Sequence, residues 1–325
     1  MSKELDIFKD NPWDSICSDT YPSGQRLYLK DERYWVSRDF SNQLVFYIHD
    51  KCRTVVPIDD TISSVKIEVE QYQNHEQRLV CRFSEISGES VEKYGLVIKY
   101  IAVETEKLSG VALFVKAQEI LQDWADFLKD NRKVLSQSEL IGFWGELYVI
   151  SHYIMKDHDA LDVIRYWAGP SGAKKDITLN SLAIEVKTTT SSAAKEIEIS
   201  SLDQLDRTTE KLYLLHLFIN YADAAHGLTL TDLYQSVRLK IQHNSSALAL
   251  YTKRAGSIYN KADIKQKSEY FMCSEVNMYD VRSDFPKLCR PDIPNGILAA
   301  KYSLSISSIQ PFNVTVQLQD IIKNG

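Results

Sequence analysis

Glu185-Val186-Lys187 is one of two acid-x-lysine tripeptides in the chain, the other being Asp263-Ile264-Lys265. Hydrolysing a phosphodiester at neutral pH needs a nucleophilic hydroxide near phosphorus and positive charge against the phosphoryl oxygens. Carboxylates holding Mg²⁺ in an incomplete octahedron supply both, because the ion lowers the pKa of its water and binds a substrate oxygen. A neighbouring lysine orients that water or offsets the developing charge. Only the first tripeptide lies in an apolar, strand-like run, and Asp176 precedes it; the second sits in the polar stretch NKADIKQKSE.

The element that must position these residues is a hairpin. Two short apolar runs, 177–179 and 182–186, flank Asn180-Ser181, a pattern that predicts a tight two-residue turn. That turn sets Leu179 opposite Leu182, Ile177 opposite Ile184 and Asp176 opposite Glu185, with the two acidic Cβ atoms about 5 Å apart. Strand alternation puts Lys187 on the face of Glu185 and turns Ile184 and Val186 away. A third acid comes from a helix predicted over residues 138–155, started by Ser136 or Ser138. Its Glu146 would join the site directly or through water, and Glu139 lies on nearly the same face. Gly142 and Gly145 in this helix cost stability relative to alanine, which predicts a face where another backbone comes close.

Periodicity places these elements in a larger frame. Alternating or aromatic runs at 33–37, 44–48, 65–69, 79–83 and 95–102 predict a mostly β N-terminal domain, residues 1–108. Apolar residues three and four apart from Val111 to Lys129 then mark an amphipathic helix, and residues 109–325 form the second predicted domain. A short helix at 159–166 and the turn-rich loop 167–172 lead into the hairpin. Strands at 196–200, 212–220, 270–281 and 299–306, with helices at 202–207, 231–241 and 248–254, complete a mixed α/β (α+β) core around a central sheet.

Composition bounds the function. The 325 residues carry a formal charge of −6, with 44% hydrophobic and 25% charged side chains, the profile of an ordinary globular protein. Nucleic acid would have to be held by a local basic patch or a bridging metal. No apolar run reaches the ~20 residues of a membrane helix, and the acidic start MSKELDIFKD does not read as a signal peptide; the expected location is cytoplasmic. Five scattered cysteines without a CxxC pair predict buried structural thiols rather than disulfides or a cysteine-based zinc site. The histidines show no HxH or HExxH spacing, so His152 and His216 read as core or surface groups. Trp144 and Trp167 read as packing residues. Residues 169–175 lack the P-loop ending. Lys174, Lys175 and Lys195 read equally as phosphate contacts or as solvated lysines flanking the hairpin.

Glu146 on a helix, Asp176 on the first hairpin strand and Glu185-Val186-Lys187 on the second together resemble the PD-(D/E)XK nuclease superfamily. IGFWGELYVI, YWAGP, KKDI, AIEVKTT and ISSLDQL in this order, with Tyr279-Asp280-Val281 and Asp284-Phe285-Pro286 later, are similar to a poorly characterised branch encoded beside bacterial restriction and phage-defence genes. The likeness covers about residues 110–315, and the first hundred loosely. It implies a restriction-endonuclease-like core with a mixed central sheet flanked by helices. It also implies Mg²⁺-dependent DNA cleavage, with Mn²⁺ able to substitute, at Asp176, Glu185 and Glu146 as metal ligands with Lys187 beside them. Gln204 falls where related nucleases carry a polar residue near the metal. One departure stands out: Lys175, not the proline that names the motif, precedes Asp176. Partner proteins of a defence system are implied, and a homodimer is compatible. The competing readings are a scaffold subunit that keeps the fold without catalysis, and a nuclease acting on RNA.

Overall fold

The computed structural model of the chain describes residues 11–325 apart from 18, 29–30, 55, 57, 59–64, 85–87, 129–133, 170–174, 191–195 and 207–208. Lys174 and Lys195 therefore lie outside the described residues. The backbone divides into two compact units, Met1–Asn131 with His243–Lys253 and Arg132–Gln242 with Arg254–Gly325. The sequence boundary at 108/109 follows the change of hydrophobic period, whereas the contact boundary follows a long helix that packs with the residues before it.

In the first unit β1 (Gln25–Arg26), β2 (Tyr34–Arg38), β3 (Leu44–Lys51), β4 (Val65–Gln71) and β5 (Glu76–Phe83) form an antiparallel sheet of order β1-β2-β3-β5-β4. Leu44, Phe46, Ile48, Leu79, Cys81 and Phe83 alternate onto its core face. There they meet α1 (Gly88–Glu104) and α2 (Gly110–Leu128) through Val97, Ile101, Phe114 and Trp124. The strand expected over 95–102 is thus the second half of α1. Its buried residues Tyr94, Val97, Ile98 and Ile101 recur three and four apart, the helical period that a continuous apolar run conceals.

The second unit opens with α3 (Gln137–His152). Ser136 caps it: the Ser136 hydroxyl accepts from the Glu139 N–H, and the Glu139 carboxylate accepts from the Ser136 N–H at 2.8 Å. Glu139 is therefore spent on the cap. After α4 (Ala160–Tyr166) come β6 (Ile177–Thr178), β7 (Leu182–Thr190), β8 (Glu196–Ile199), β9 (Lys211–Tyr221) and β10 (Leu228–Thr229). Then α5 (Leu230–Ile241), α6 (Ser245–Tyr259, of which the residues to Lys253 belong to the first unit), α7 (Ile264–Ser268), β11 (Tyr270–Asp280), β12 (Tyr302–Ser305), α8 (Ile306–Ile309) and α9 (Leu318–Lys323) follow.

The central sheet has the order β10-β11-β9-β7-β6; β7 and β9 run parallel and the other pairs antiparallel. This is the mixed α/β architecture read from the sequence. β8 leaves it. It pairs with β12 in a separate two-stranded ribbon, and its alternating Ile197 and Ile199 join Leu212, Leu214, Tyr279 and Phe312 in the core. The helix expected from 202 is a single 3₁₀ turn, Leu202–Gln204.

Candidate active site

The hairpin register is the one the turn arithmetic demands, since Ile177 pairs with Ile184 and Thr178 with Ala183. Asp176 immediately precedes this ladder, and its carboxylate Oδ2 accepts a 2.7 Å hydrogen bond from the Val186 N–H. Glu185 is buried at 2% exposure, and Lys187 places its ammonium 3.1 Å from Glu185 Oε1. The close helix packing expected from the glycines falls at Gly145: a Cβ there would lie 1.8 Å from Thr188 Oγ1 on β7. Gly142 faces open space. That approach brings α3, and with it Glu146, against the strand that carries Glu185 and Lys187.

Glu146 Oε2 accepts from the Trp167 indole N–H at 2.7 Å. Trp167 also stacks on Phe143 and bridges to Ile177, so the packing residue read from the sequence is also a polar anchor. The sequence offers little warning of this, because an indole that packs and an indole that donates look alike.

Electrostatics bind the three acids into one group. Burial, then repulsion from Asp176, pushes the Glu146 carboxyl well above its usual range; the Trp167 hydrogen bond opposes this, and Glu185 adds to it. Burial likewise raises Asp176, against the Val186 N–H and the charges of Lys187 and Lys175. Glu185 is pushed up to about 8, by burial first and Asp176 second, with Lys187 and Lys175 opposing. Asp176 thus raises both glutamates and Glu185 adds to Glu146, so the cluster is short of positive charge.

Lys175 is not a solvated lysine. It is 4% exposed, and its ammonium donates to the carbonyls of Asp203 and Gln204 at 2.6 Å each. Burial lowers it to about 8, while Glu185 pulls the other way. The Gln204 side chain accepts from the Ser200 N–H at 2.8 Å; its side-chain oxygen closes its own turn.

The other flagged residues have structural roles. Asp263 of the second tripeptide is the N-cap of α7 and accepts from the Gln266 N–H at 2.8 Å. His216 is fully buried, with Nε2 2.9 Å from Thr189 Oγ1, and His152 stacks on Tyr148. Trp144 donates to the Leu228 carbonyl at 3.0 Å. All five cysteines are free thiols, of which Cys52 and Cys81 are buried and Cys17 is exposed, so the expectation of buried thiols holds for only part of the set. Among the described residues, no helix is long and apolar enough to cross a membrane.

Among the described residues, no three His, Cys, Asp or Glu side chains stand close enough together to hold an ion as they are. The donor set still fits a hard divalent cation. Mg²⁺ binds through one or two carboxylates and keeps several waters, and Asp176 and Glu185 face each other across the hairpin. The hydrogen bonds and ion pair among the described residues engage Oδ2 of Asp176, Oε1 of Glu185 and Oε2 of Glu146. Each carboxylate keeps a second oxygen.

No curated protein and no solved structure matches the chain. The profile of one family, described as "Putative PD-(D/E)XK family member, (DUF4420)", matches residues 11–307. The match spans most of the chain, the first unit included, and the chain belongs to this PD-(D/E)XK family, whose fold is of the nuclease type.

Proposed function

We propose that the protein is a metal-dependent DNA endonuclease of the cytoplasm, with its chemistry in residues 109–325, acting with partner proteins in a restriction or phage-defence system. The observation that carries this reading is the hairpin. It sets Asp176 opposite Glu185, with Lys187 beside Glu185 and Glu146 close enough for both acids to raise its own carboxyl. A scaffold has no use for a buried acid with two partly buried acids clustered against it.

Asp176 and Glu185 would hold Mg²⁺ or Mn²⁺, with Glu146 completing or extending the set. When bound, such an ion acidifies a water and neutralises charge on the phosphodiester oxygens. Lys187 is the cation already in place: its ammonium orients the attacking water and meets the charge that develops on phosphorus oxygens. Trp167 holds Glu146 in its orientation by the indole hydrogen bond. Gln204 is assigned a supporting place at the turn beside Lys175.

Supercoiled, linear and single-stranded DNA and a matched RNA, incubated with Mg²⁺, Mn²⁺ or a chelator, test the proposal. Cleavage of DNA that needs the ion and disappears in Asp176→Ala and in Lys187→Ala is expected. Activity surviving both substitutions would overturn the assignment, and preferential cleavage of RNA would move it to the other nucleic acid.

A further inference from the structure

Asp176 stands just outside a strand only two residues long, so the ladder itself does little to hold it. Its position depends on side-chain and backbone anchors: the Val186 N–H on its carboxylate, the Ala168 N–H on its carbonyl at 2.9 Å, and the residue before it. That residue, Lys175, sends a buried ammonium to the carbonyls of Asp203 and Gln204. A desolvated ammonium is costly unless hydrogen-bonded, and here two carbonyls of one 3₁₀ turn satisfy it. The turn is also closed from within, by Gln204 on the Ser200 N–H. A rigid turn and the first residues of β6 are thereby tied at a single nitrogen.

We propose that Lys175 is a positioning residue: by anchoring β6 to the turn Leu202–Gln204 it holds Asp176 in register for a divalent cation. This rests on the metal-dependent reading of the same site. It assigns to a buried side chain the stiffness that a proline would give the backbone.

At pH 9, where the acids are ionised and proton competition no longer masks the effect, the sign of one measurement separates positioning from charge. If Lys175 acted there only as a nearby positive charge, removing it would leave cation binding equal or tighter. If it were merely structural, removal would lower the unfolding midpoint and leave the affinity of the folded protein unchanged. Positioning requires the affinity to fall although a repelling charge has gone. Mn²⁺ is titrated calorimetrically at pH 9 into the full chain as wild type, Lys175→Met and Lys175→Arg. The expected result is at least a tenfold weaker Kd for Lys175→Met, with most of the loss recovered by Lys175→Arg. An equal or tighter Kd in Lys175→Met overturns the proposal and leaves the nuclease reading standing; a wild type that binds no divalent ion overturns both. Should the variants fail to fold, hydrogen exchange on the wild type decides. Mn²⁺ should protect residues 202–205 together with 176–186, and protection of 176–186 alone counts against the link.

Discussion

Asp176 and Val186 are joined by a 2.7 Å hydrogen bond from the Val186 N–H to the Asp176 carboxylate, which fastens the first acid of the site to the residue directly after the second. The bond fixes the spacing of Asp176 and Glu185 independently of any ion. The arrangement keeps the acids close enough to repel, and on the proposed reading a bound cation relieves that repulsion.

Relief of that repulsion should be visible in stability. Asn at position 176 can still accept from Val186 but carries no charge. Asp176→Asn is expected to raise the stability of the ion-free protein by about 1 kcal/mol and to cut cleavage at least ~100-fold, the scale of losing a strong transition-state charge interaction. Chemical denaturation and a cleavage time course check the two halves; a destabilised variant would contradict the repulsion argument.

The raised Glu185 gives a pH dependence of definite sign. Its folded pKa of about 8 lies above the ordinary 4.5, so folding favours the protonated acid. Its contribution to stability is complete below pH 4.5 and fades as pH rises through 8. Cation binding needs the ionised form and so strengthens over the same interval. Calorimetry in buffers of different ionisation enthalpy should register proton release when Mn²⁺ binds at pH 6.5, and less at pH 9.

Trp167→Phe keeps the stacking on Phe143 but removes the donor to Glu146. With that opposing influence gone, Glu146 should ionise at still higher pH. A hydrogen bond to a charged group is worth ~1.5–3 kcal/mol, so cation affinity at pH 7 should fall about tenfold and recover at higher pH. A pH series of Mn²⁺ titrations tests this.

The two glycines of α3 should behave oppositely. Gly145→Ala drives a Cβ into Thr188 and is expected to cost about 1–3 kcal/mol, the range for overpacking. Gly142→Ala meets nothing within 4 Å and should stabilise by up to ~1 kcal/mol through helix propensity. Denaturation midpoints of the pair measure the difference.

Much of this site could be read before any coordinates. Asn180-Ser181 set the register by turn geometry, Ser136 was one of two serines offered as the start of α3, and Gly145 was one of two glycines offered for the close approach. What stayed hidden depends on tertiary surroundings. The run Gly95–Ala102 is apolar enough to suit a strand or a buried helix, and only its packing chose the helix. β8 alternates like a central strand yet pairs with β12, a partner about a hundred residues later. Lys175 read equally as a phosphate contact or a solvated lysine, because nothing local foretells that two carbonyls of a distant turn will take its ammonium. Asp263 was already set aside by its polar surroundings, and what the sequence left unread was its place as the cap of α7.

The brevity of β6 carries a last consequence. With only Ile177 and Thr178 in its ladder at the edge of the sheet, the strand beside Asp176 has fewer backbone bonds to break than β7 and β9 at the centre and should open before them. Mild warming or low denaturant should therefore release Asp176 and silence the protein while its far-ultraviolet spectrum is still native. Inactivation and unfolding would then be two separate transitions, with the working lifetime set by the first.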